Sequence, residues 1–182
     1  MKASCKKSFF VFLFVLSGIQ FLQAQFFKKN FYYEGEIGCI TSFFVEDADG
    51  KTQVITIGGL NFRGGIGVHD EDDIIFFGLH SGMDGNFRHR IGILPVYLNS
   101  RIGIPVTETG RIYLSFGYGK SYQIGPENLH GFLRKYTIAF SDKDKNENRQ
   151  SFFVEINNHG FNFPDDNIPV ITLNFGFTFT FL

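Results

Sequence analysis

The chain has 182 residues, and its 17 Lys and Arg against 18 Asp and Glu give a formal net charge of −1. This balance excludes the broad basic surface by which proteins recruit nucleic acid. Aromatic content is unusual, with 25 Phe and 7 Tyr but no Trp, and a water-soluble domain of this size would struggle to bury so many large rings in one core.

The N-terminus has the layout of a secretory signal peptide. Three lysines in the first seven residues precede an apolar run over residues 9–19, and Ala24 offers a small residue for cleavage. The run falls short of the ~20 apolar residues that span a bilayer, so an uncleaved anchor is the minor alternative. Cys5 precedes the run, which argues against a lipoprotein. We therefore predict a signal peptide at 1–24 and one domain at 25–182.

Removal of that segment leaves a chain without a disulfide. The segment contains three bases and no acid, so the mature net charge is −4. Cys39 is then the one remaining cysteine, and burial and backbone hydrogen bonds must hold the exported fold together.

Eight apolar-rich stretches follow, and none reads as a helix. Their approximate bounds are 33–45, 53–69, 74–82, 91–104, 111–122, 131–141, 151–159 and 169–181. The polar links between them are 47–51, 70–73, 84–90, 105–110, 125–130, 142–149 and 161–167. The Asp-Gly pair at 49–50 favours a tight hairpin turn, and the glycines within 60–69 favour a bulge or bend. Short links predict antiparallel neighbours and no second domain.

Large apolar residues occupy alternate positions in the later stretches. In the last one, these residues alternate with Thr, Asn and Gly and are Ile171, Leu173, Phe175, Phe177, Phe179 and Phe181. Successive side chains of a strand point to opposite faces. Each stretch therefore has one apolar face and one small or polar face.

The polar face is predicted to be the interior. Soluble exteriors usually carry Lys, Glu, Arg and Gln, whereas Thr, Ser, Asn and Gly suit the narrow lumen of an eight-stranded barrel. This choice places three acids, three bases and one histidine in the lumen, namely Glu34, Glu36, Arg63, His80, Arg101, Lys135 and Glu155. This near-neutral balance allows the charges to pair, and pairing offsets the free energy lost when charge is buried. The hairpin register makes Lys135 and Glu155 diagonal neighbours on one face.

The signal ending in Leu-Gln-Ala-Gln, the eight stretches and the aromatic last strand resemble small outer-membrane β-barrel proteins of the OmpA/OmpX type, in particular the Bacteroidetes-type barrel domain. The resemblance implies an all-β, eight-stranded, antiparallel up-and-down transmembrane barrel in a Gram-negative outer membrane. It implies that both mature termini are periplasmic. It further implies that the barrel-assembly machinery reads the last strand, which contains Phe175, Phe177, Phe179 and Phe181.

Candidate catalytic residues are few. His80 and Ser81 are adjacent in a stretch and so point to opposite faces, which excludes a nucleophile–base pair between them. His159 is expected near an outer loop with no hydroxyl one strand step away. The basic loop 88–90 (Arg88, His89, Arg90) is interpreted as solvated, with phosphate contact as the alternative.

Metal and cofactor sites are not predicted. The acidic run at 69–73 is interpreted as a solvated turn, because consecutive residues cannot converge on one calcium ion and the spaced ligands are absent. The glycines at 61–67 do not open a helix, so they form no phosphate cradle. No Cys or His pair has zinc spacing.

The functional prediction is a monomeric, non-enzymatic outer-membrane protein with a structural, envelope-integrity or surface-interaction role. A filled lumen argues against an open porin. One alternative is a soluble, lipocalin-like barrel that binds an apolar ligand, with Phe175, Phe177 and Phe179 turned inward. The other is a lipid-A-modifying barrel enzyme.

The expected partners are membrane lipid and lipopolysaccharide, besides the assembly machinery. On the lipid-facing phase, Lys120 follows Tyr118, and Arg134 precedes Tyr136. Both cations are expected just beyond the apolar band, where they contact lipopolysaccharide phosphate. Simple snorkelling of the two side chains is the alternative.

Overall fold

The computed structural model describes residues 30–46, 52–87, 90–125, 128–162 and 169–182. Its strands are β1 Phe31–Glu46, β2 Thr52–His69, β3 Ile75–Asn86, β4 Ile91–Pro105, β5 Arg111–Ile124, β6 His130–Lys143, β7 Arg149–Asn162 and β8 Pro169–Phe181. Each strand pairs with its sequence neighbours and β1 also pairs with β8, always antiparallel. The predicted all-β, eight-stranded up-and-down barrel is confirmed.

Several predictions concern residues outside these ranges. They include the signal peptide at 1–24, the Asp-Gly turn at 49–50, and Arg88 and His89 of the basic loop. The structure does not describe these residues, and the predictions about them remain predictions. Among the described residues there is no helix long and apolar enough to cross a membrane.

Burial alternates with a period of two along the strands, as the pleat requires. In β4, Tyr97 and Arg101 are buried, while Leu98 and Ile102 are about half exposed. The same division recurs around the barrel, so charged and amide side chains fill the lumen and large apolar side chains cover the outside.

Several strands extend further than the apolar pattern indicated, β3 and β7 among them. β3 continues to Asn86 and β7 begins at Arg149, although 84–86 and 149 were predicted to be links. The alternation continues through these polar residues, because Asp84, Asn86 and Arg149 point inward and are buried. Hydrophobicity was the wrong criterion there, since the inward face is polar.

The segment 60–69 of β2 does not contain the predicted bulge, and its glycines at 65 and 67 are on the inward face, whereas Gly64 is exposed. The register of β2 against β1 is regular from Gly59 to Val68, and the irregularity lies between Ile40 and Thr41. A Cβ atom at Gly65 would collide with the His80 ring. The glycine therefore makes room for a lumen side chain.

The lumen is organised in layers. We call the end that holds Phe31 and Phe181 the proximal end and the opposite end the distal end. An aromatic layer lies near the proximal end and comprises Tyr32, Phe76, Tyr113, Ala139 and Phe153. An apolar lid closes the distal end and comprises Ile91, Ile93, Leu129, Phe161 and Val170.

Candidate functional site

An ion core occupies the middle of the lumen and consists of Glu36, Arg63, Asp84, Lys135 and Glu155. Arg63 is at its centre. Its Nε and Nη2 donate to the Asp84 carboxylate at 2.7 and 2.8 Å, a bidentate pair. Its Nη1 donates to Glu36 Oε1 at 2.9 Å and to Glu155 Oε1 at 2.6 Å. One guanidinium therefore joins carboxylates from β1, β3 and β7.

Lys135 bridges two of the same carboxylates. Its Nζ lies 2.6 Å from Glu155 Oε2 and 2.9 Å from Glu36 Oε2. Thr137 is opposite Glu155 and Lys135 is opposite Asn157, which is the register expected for the hairpin. The structure thus brings Lys135 and Glu155 together as diagonal neighbours.

Every oxygen of the Glu155 carboxylate has donors. Besides the two cations, Asn157 Nδ2 and Asn174 Nδ2 donate to Oε1 at 2.7 and 2.9 Å. Such saturation is required because an isolated charge in a low-dielectric interior is very unfavourable. The ion core holds the barrel wall together from inside.

A second charged group lies closer to the proximal end. Arg101 Nη2 donates to both oxygens of Glu34 at 2.6 Å, and its guanidinium lies 5.3 Å from the ring centres of Phe76 and Tyr113. His80 Nδ1 is 3.8 Å from Glu34 Oε1. The six charged residues and the histidine assigned to the lumen from sequence all lie inside, in these two groups.

The acidic turn between β2 and β3 is not fully solvated, contrary to the sequence interpretation. Asp73 adopts a positive φ of 53° and its residue surface is only 4% exposed. Its carboxylate lies 3.1 Å from Arg149 Nη2, 3.3 Å from Lys143 Nζ and 3.0 Å from His69 Nδ1. The turn folds under the barrel, and we call these four residues the clasp.

Hydrogen bonds and neighbouring charges determine where the protons of the clasp lie. His69 Nδ1 also lies 2.8 Å from the carbonyl oxygen of Asp70. Both neighbours of this nitrogen are acceptors, so Nδ1 carries a hydrogen. Burial alone would raise the pKa of Asp73, but the His69 hydrogen bond and the charges of Lys143 and Arg149 lower that pKa to about 2.

Sequence reasoning missed Asp84 and Arg149, although both follow the strand period. Asp84 is four residues beyond His80 in β3, and Arg149 is six residues before Glu155 in β7. Even offsets keep a side chain on one face. Asp73 left no comparable signal, because its burial depends on the path of a turn.

His159 corrects another expectation. It is fully buried, and its Nδ1 lies 3.0 Å from Ser121 Oγ, where no nearby hydroxyl was expected. Its Nε2 lies 3.8 Å from Asp84 Oδ2, beyond hydrogen-bond distance. Ser121 and His159 both lie inside the lumen beneath the apolar lid, so their hydrogen bond is enclosed. Even offsets from Glu155 and Tyr113 indicate these inward positions.

The remaining candidates lie apart. His80 is buried, while Ser81 is on the other side of its strand and donates to the carbonyl oxygen of Pro95 at 2.9 Å. Within the described ranges, no group of three His, Cys, Asp or Glu side chains is placed to hold a metal ion. A cavity of about 10 Å³ beside Lys135 has room for one water molecule.

The exterior residues lie on the predicted face. Phe177, Phe179 and Phe181 are between 41% and 55% exposed, and Phe175 on the same phase is half-buried. Lys120 and Arg134 are exposed. Tyr118 is opposite Arg134, and Phe132 is opposite Lys120, so the two cations are diagonal neighbours on the outside.

No family model matches the chain, and no curated protein matches it by sequence. Among solved structures, the barrel is similar to Neisserial surface protein A (NspA), with a TM-score of 0.61. The match covers 82% of this chain and 94% of that chain at 10% identity. At this identity the likeness concerns the fold.

Proposed function

We propose that this chain is a non-enzymatic, monomeric β-barrel protein of a Gram-negative outer membrane, with a structural, envelope-integrity or surface-interaction role. One observation supports this most directly. Phe62, Leu98 and Phe177 are each at least half exposed on the outside, whereas Arg63 and Glu155 are buried within. In water, apolar exposure costs about 25 cal/mol per Å², and a bilayer removes that cost.

The orientation and the biogenesis belong to the same proposal. The proximal end, which holds both ends of the barrel, faces the periplasm, and residues 1–24 direct export. The assembly machinery reads β8 through Phe175, Phe177, Phe179 and Phe181. We also propose the kinship with OmpA/OmpX-like and Bacteroidetes-type barrel domains, for which the barrel and its last strand are the support.

The two alternatives are less well supported. A lipocalin-like binder needs Phe177 and Phe179 inside an apolar cavity, whereas these rings are exposed and ion pairs occupy the lumen. A lipid-A-modifying enzyme needs its catalytic groups at the lipid surface. Ser121 and His159 are enclosed in the lumen, which supports a structural role for their hydrogen bond.

The proposed partners are outer-membrane lipid and lipopolysaccharide. Lys120 and Arg134 project outward on the distal half of the barrel, next to Tyr118 and Phe132. Long cationic side chains at such a position reach lipid headgroups along an apolar band. These two residues are the proposed lipopolysaccharide contact.

Cell fractionation tests the location. The protein is expressed with its own N-terminus, and membranes are separated from the soluble periplasm before and after detergent extraction. We expect the folded chain in the outer-membrane fraction and its release only by detergent. Recovery of folded protein in the soluble periplasmic fraction without detergent would falsify the proposal.

The phase of β8 provides a second test. Phe177 faces outward and Thr178 is buried. An Arg at mid-bilayer on the lipid face costs ~2–4 kcal/mol, so Phe177→Arg should impair membrane assembly far more than Thr178→Val. Equal yields of assembled protein from the two variants would contradict the face assignment.

A further inference from the structure

An apolar groove of about 390 Å³ lies on the outside of β5–β8. Its apolar lining consists of Leu114, Tyr136, Ile138, Val154, Ile156 and Leu173. The strand registers place Leu114, Ile138 and Val154 in one row, and Tyr136, Ile156 and Leu173 in the next row towards the distal end. The groove therefore runs across neighbouring strands.

The small side chain of Val154 explains the groove. Val154 is a short residue on the outward phase of β7, between Ile138 of β6 and Phe175 of β8. Phe152 and Phe177, which stack edge to face at 5.7 Å, border it on the proximal side. A β-branched residue beside large neighbours leaves room in which a flexible hydrocarbon chain fits.

Two cations lie on the distal side of the groove. Arg134 is one outward row beyond Tyr136, a step of roughly 7 Å along a strand. Lys120 is one further row away, opposite Phe132. Within the described part of the chain, neither cation makes an ion pair, and the outward positions that pair with Arg134 are Tyr118 and Asn158. Among the described residues, no carboxylate therefore lies beside these two positive charges above the groove.

This arrangement matches one class of ligand. An acyl chain fits the groove, and a phosphate fits beside Arg134, because a guanidinium donates to phosphate oxygens in parallel. Lys120 adds a second positive charge. A neutral lipid would satisfy the groove and leave both charges unmatched.

We propose that this face is a specific binding site for one phosphorylated, multi-acyl lipid of the lipid A class. An acyl chain lies in the groove over Val154, and a phosphate is bound by Arg134 and Lys120. This inference rests on the proposed location in the outer membrane and adds a defined stoichiometry, a groove and a headgroup site to it.

Native mass spectrometry of the full chain, folded in neutral detergent micelles, tests the site with bisphosphorylated lipid A as the probe. We expect wild type to retain one lipid A. Val154→Phe fills the groove, and Lys120→Gln/Arg134→Gln removes the charges, so each should weaken binding by about tenfold or more. Lipid A stripped of its phosphates should bind wild type as weakly as lipid A binds the charge variant.

Two matched controls separate the site from general effects. Ile66→Phe enlarges an outward residue of β2 that is 49% exposed, on the side of the barrel away from β5–β8. Lys145→Gln removes an exposed charge at the proximal turn. Both should bind lipid A like wild type, and circular dichroism should report the same strand content for all variants.

The proposal is overturned if wild type retains no lipid A, or if a folded groove or charge variant binds as tightly as wild type. It is also overturned if the control variants lose binding equally. Fractionation reports separately on the location. A chain that resides in the outer membrane but fails these binding tests loses the lipid site and keeps the proposed function.

Discussion

The two ends of the lumen are closed by different chemistry. At the proximal end, Asp73 is held by Lys143 and Arg149 through charge-assisted contacts of 3.3 and 3.1 Å. At the distal end, Ile93 and Val170 belong to an apolar lid and are at most 2% exposed. The ion core lies between the two closures.

The difference shows how one barrel combines two kinds of closure. Charge-assisted contacts depend on protonation, so the clasp responds to acid. Apolar packing depends on filled volume, so the lid responds to side-chain size. The ion core separates the two ends, and we expect perturbations at the ends to be nearly independent because distant sites act additively.

The largest effect is expected in the ion core, where Lys135 meets Glu155. Lys135→Met or Glu155→Gln leaves a buried partner incompletely paired, at about 3–5 kcal/mol for a broken buried pair. The double variant should lose less than the sum of the two single losses. Denaturant unfolding of all four proteins in micelles measures this, and strictly additive losses would mean that the pair does not interact.

The next largest effect is expected at the apolar lid. Ile93→Ala should lower the free energy of unfolding by about 2–4 kcal/mol, because truncation of a buried Ile loses burial and leaves a cavity. Ile102→Ala on the outside of the same strand, which is 52% exposed, serves as the control and should cost less. Equal losses in denaturant unfolding of the two variants in micelles would mean that Ile93 is no better packed than a residue on the outer face.

A smaller effect is expected at the clasp. Asp73→Asn removes a charge that accepts from three donors, and a hydrogen bond to a charged group contributes roughly 1.5–3 kcal/mol. The neighbouring Asp72→Asn alters an exposed carboxyl and should have little effect. A matching loss from both variants, measured by denaturant unfolding, would count against the clasp.

Acid should weaken the clasp in a defined window. The pKa of Asp73 is lowered to about 2 in the fold, against about 3.9 for an unperturbed Asp. Its contribution is therefore complete above about pH 4 and is lost as the pH falls towards 2. Wild type should lose more stability than Asp73→Asn over this window. Parallel pH profiles for the two proteins would contradict the assignment.

The smallest loss of folding stability is expected at Ser121. Ser121→Ala removes its hydrogen bond with His159, and a neutral hydrogen bond contributes about 1 kcal/mol. Thr172→Val, in a buried Thr on the distal half of β8, is a control of similar size. Lipid A is then extracted from cells that overproduce wild type, Ser121→Ala or Thr172→Val. Identical lipid A mass spectra from all three would mean that Ser121 and His159 do not modify lipid A.

The period of two in the sequence was enough to predict the strands and their faces. Phe177 outward and Thr178 inward follow from alternation in β8. The hairpin register across 142–149 also placed Lys135 near Glu155, because a short link between antiparallel strands defines which residues are opposite. These are local constraints, so a one-dimensional pattern contains them.

Only the tertiary structure decided which charges meet across the lumen. Arg63 in β2 contacts Glu155 in β7, strands that are not neighbours in the sheet. Such contacts depend on barrel closure and on side-chain length, neither of which a strand pattern encodes. The burial of Asp73 likewise depends on a left-handed turn residue that directs the chain beneath the barrel. Sequence determined the inward and outward faces, and closure of the barrel determined the partners.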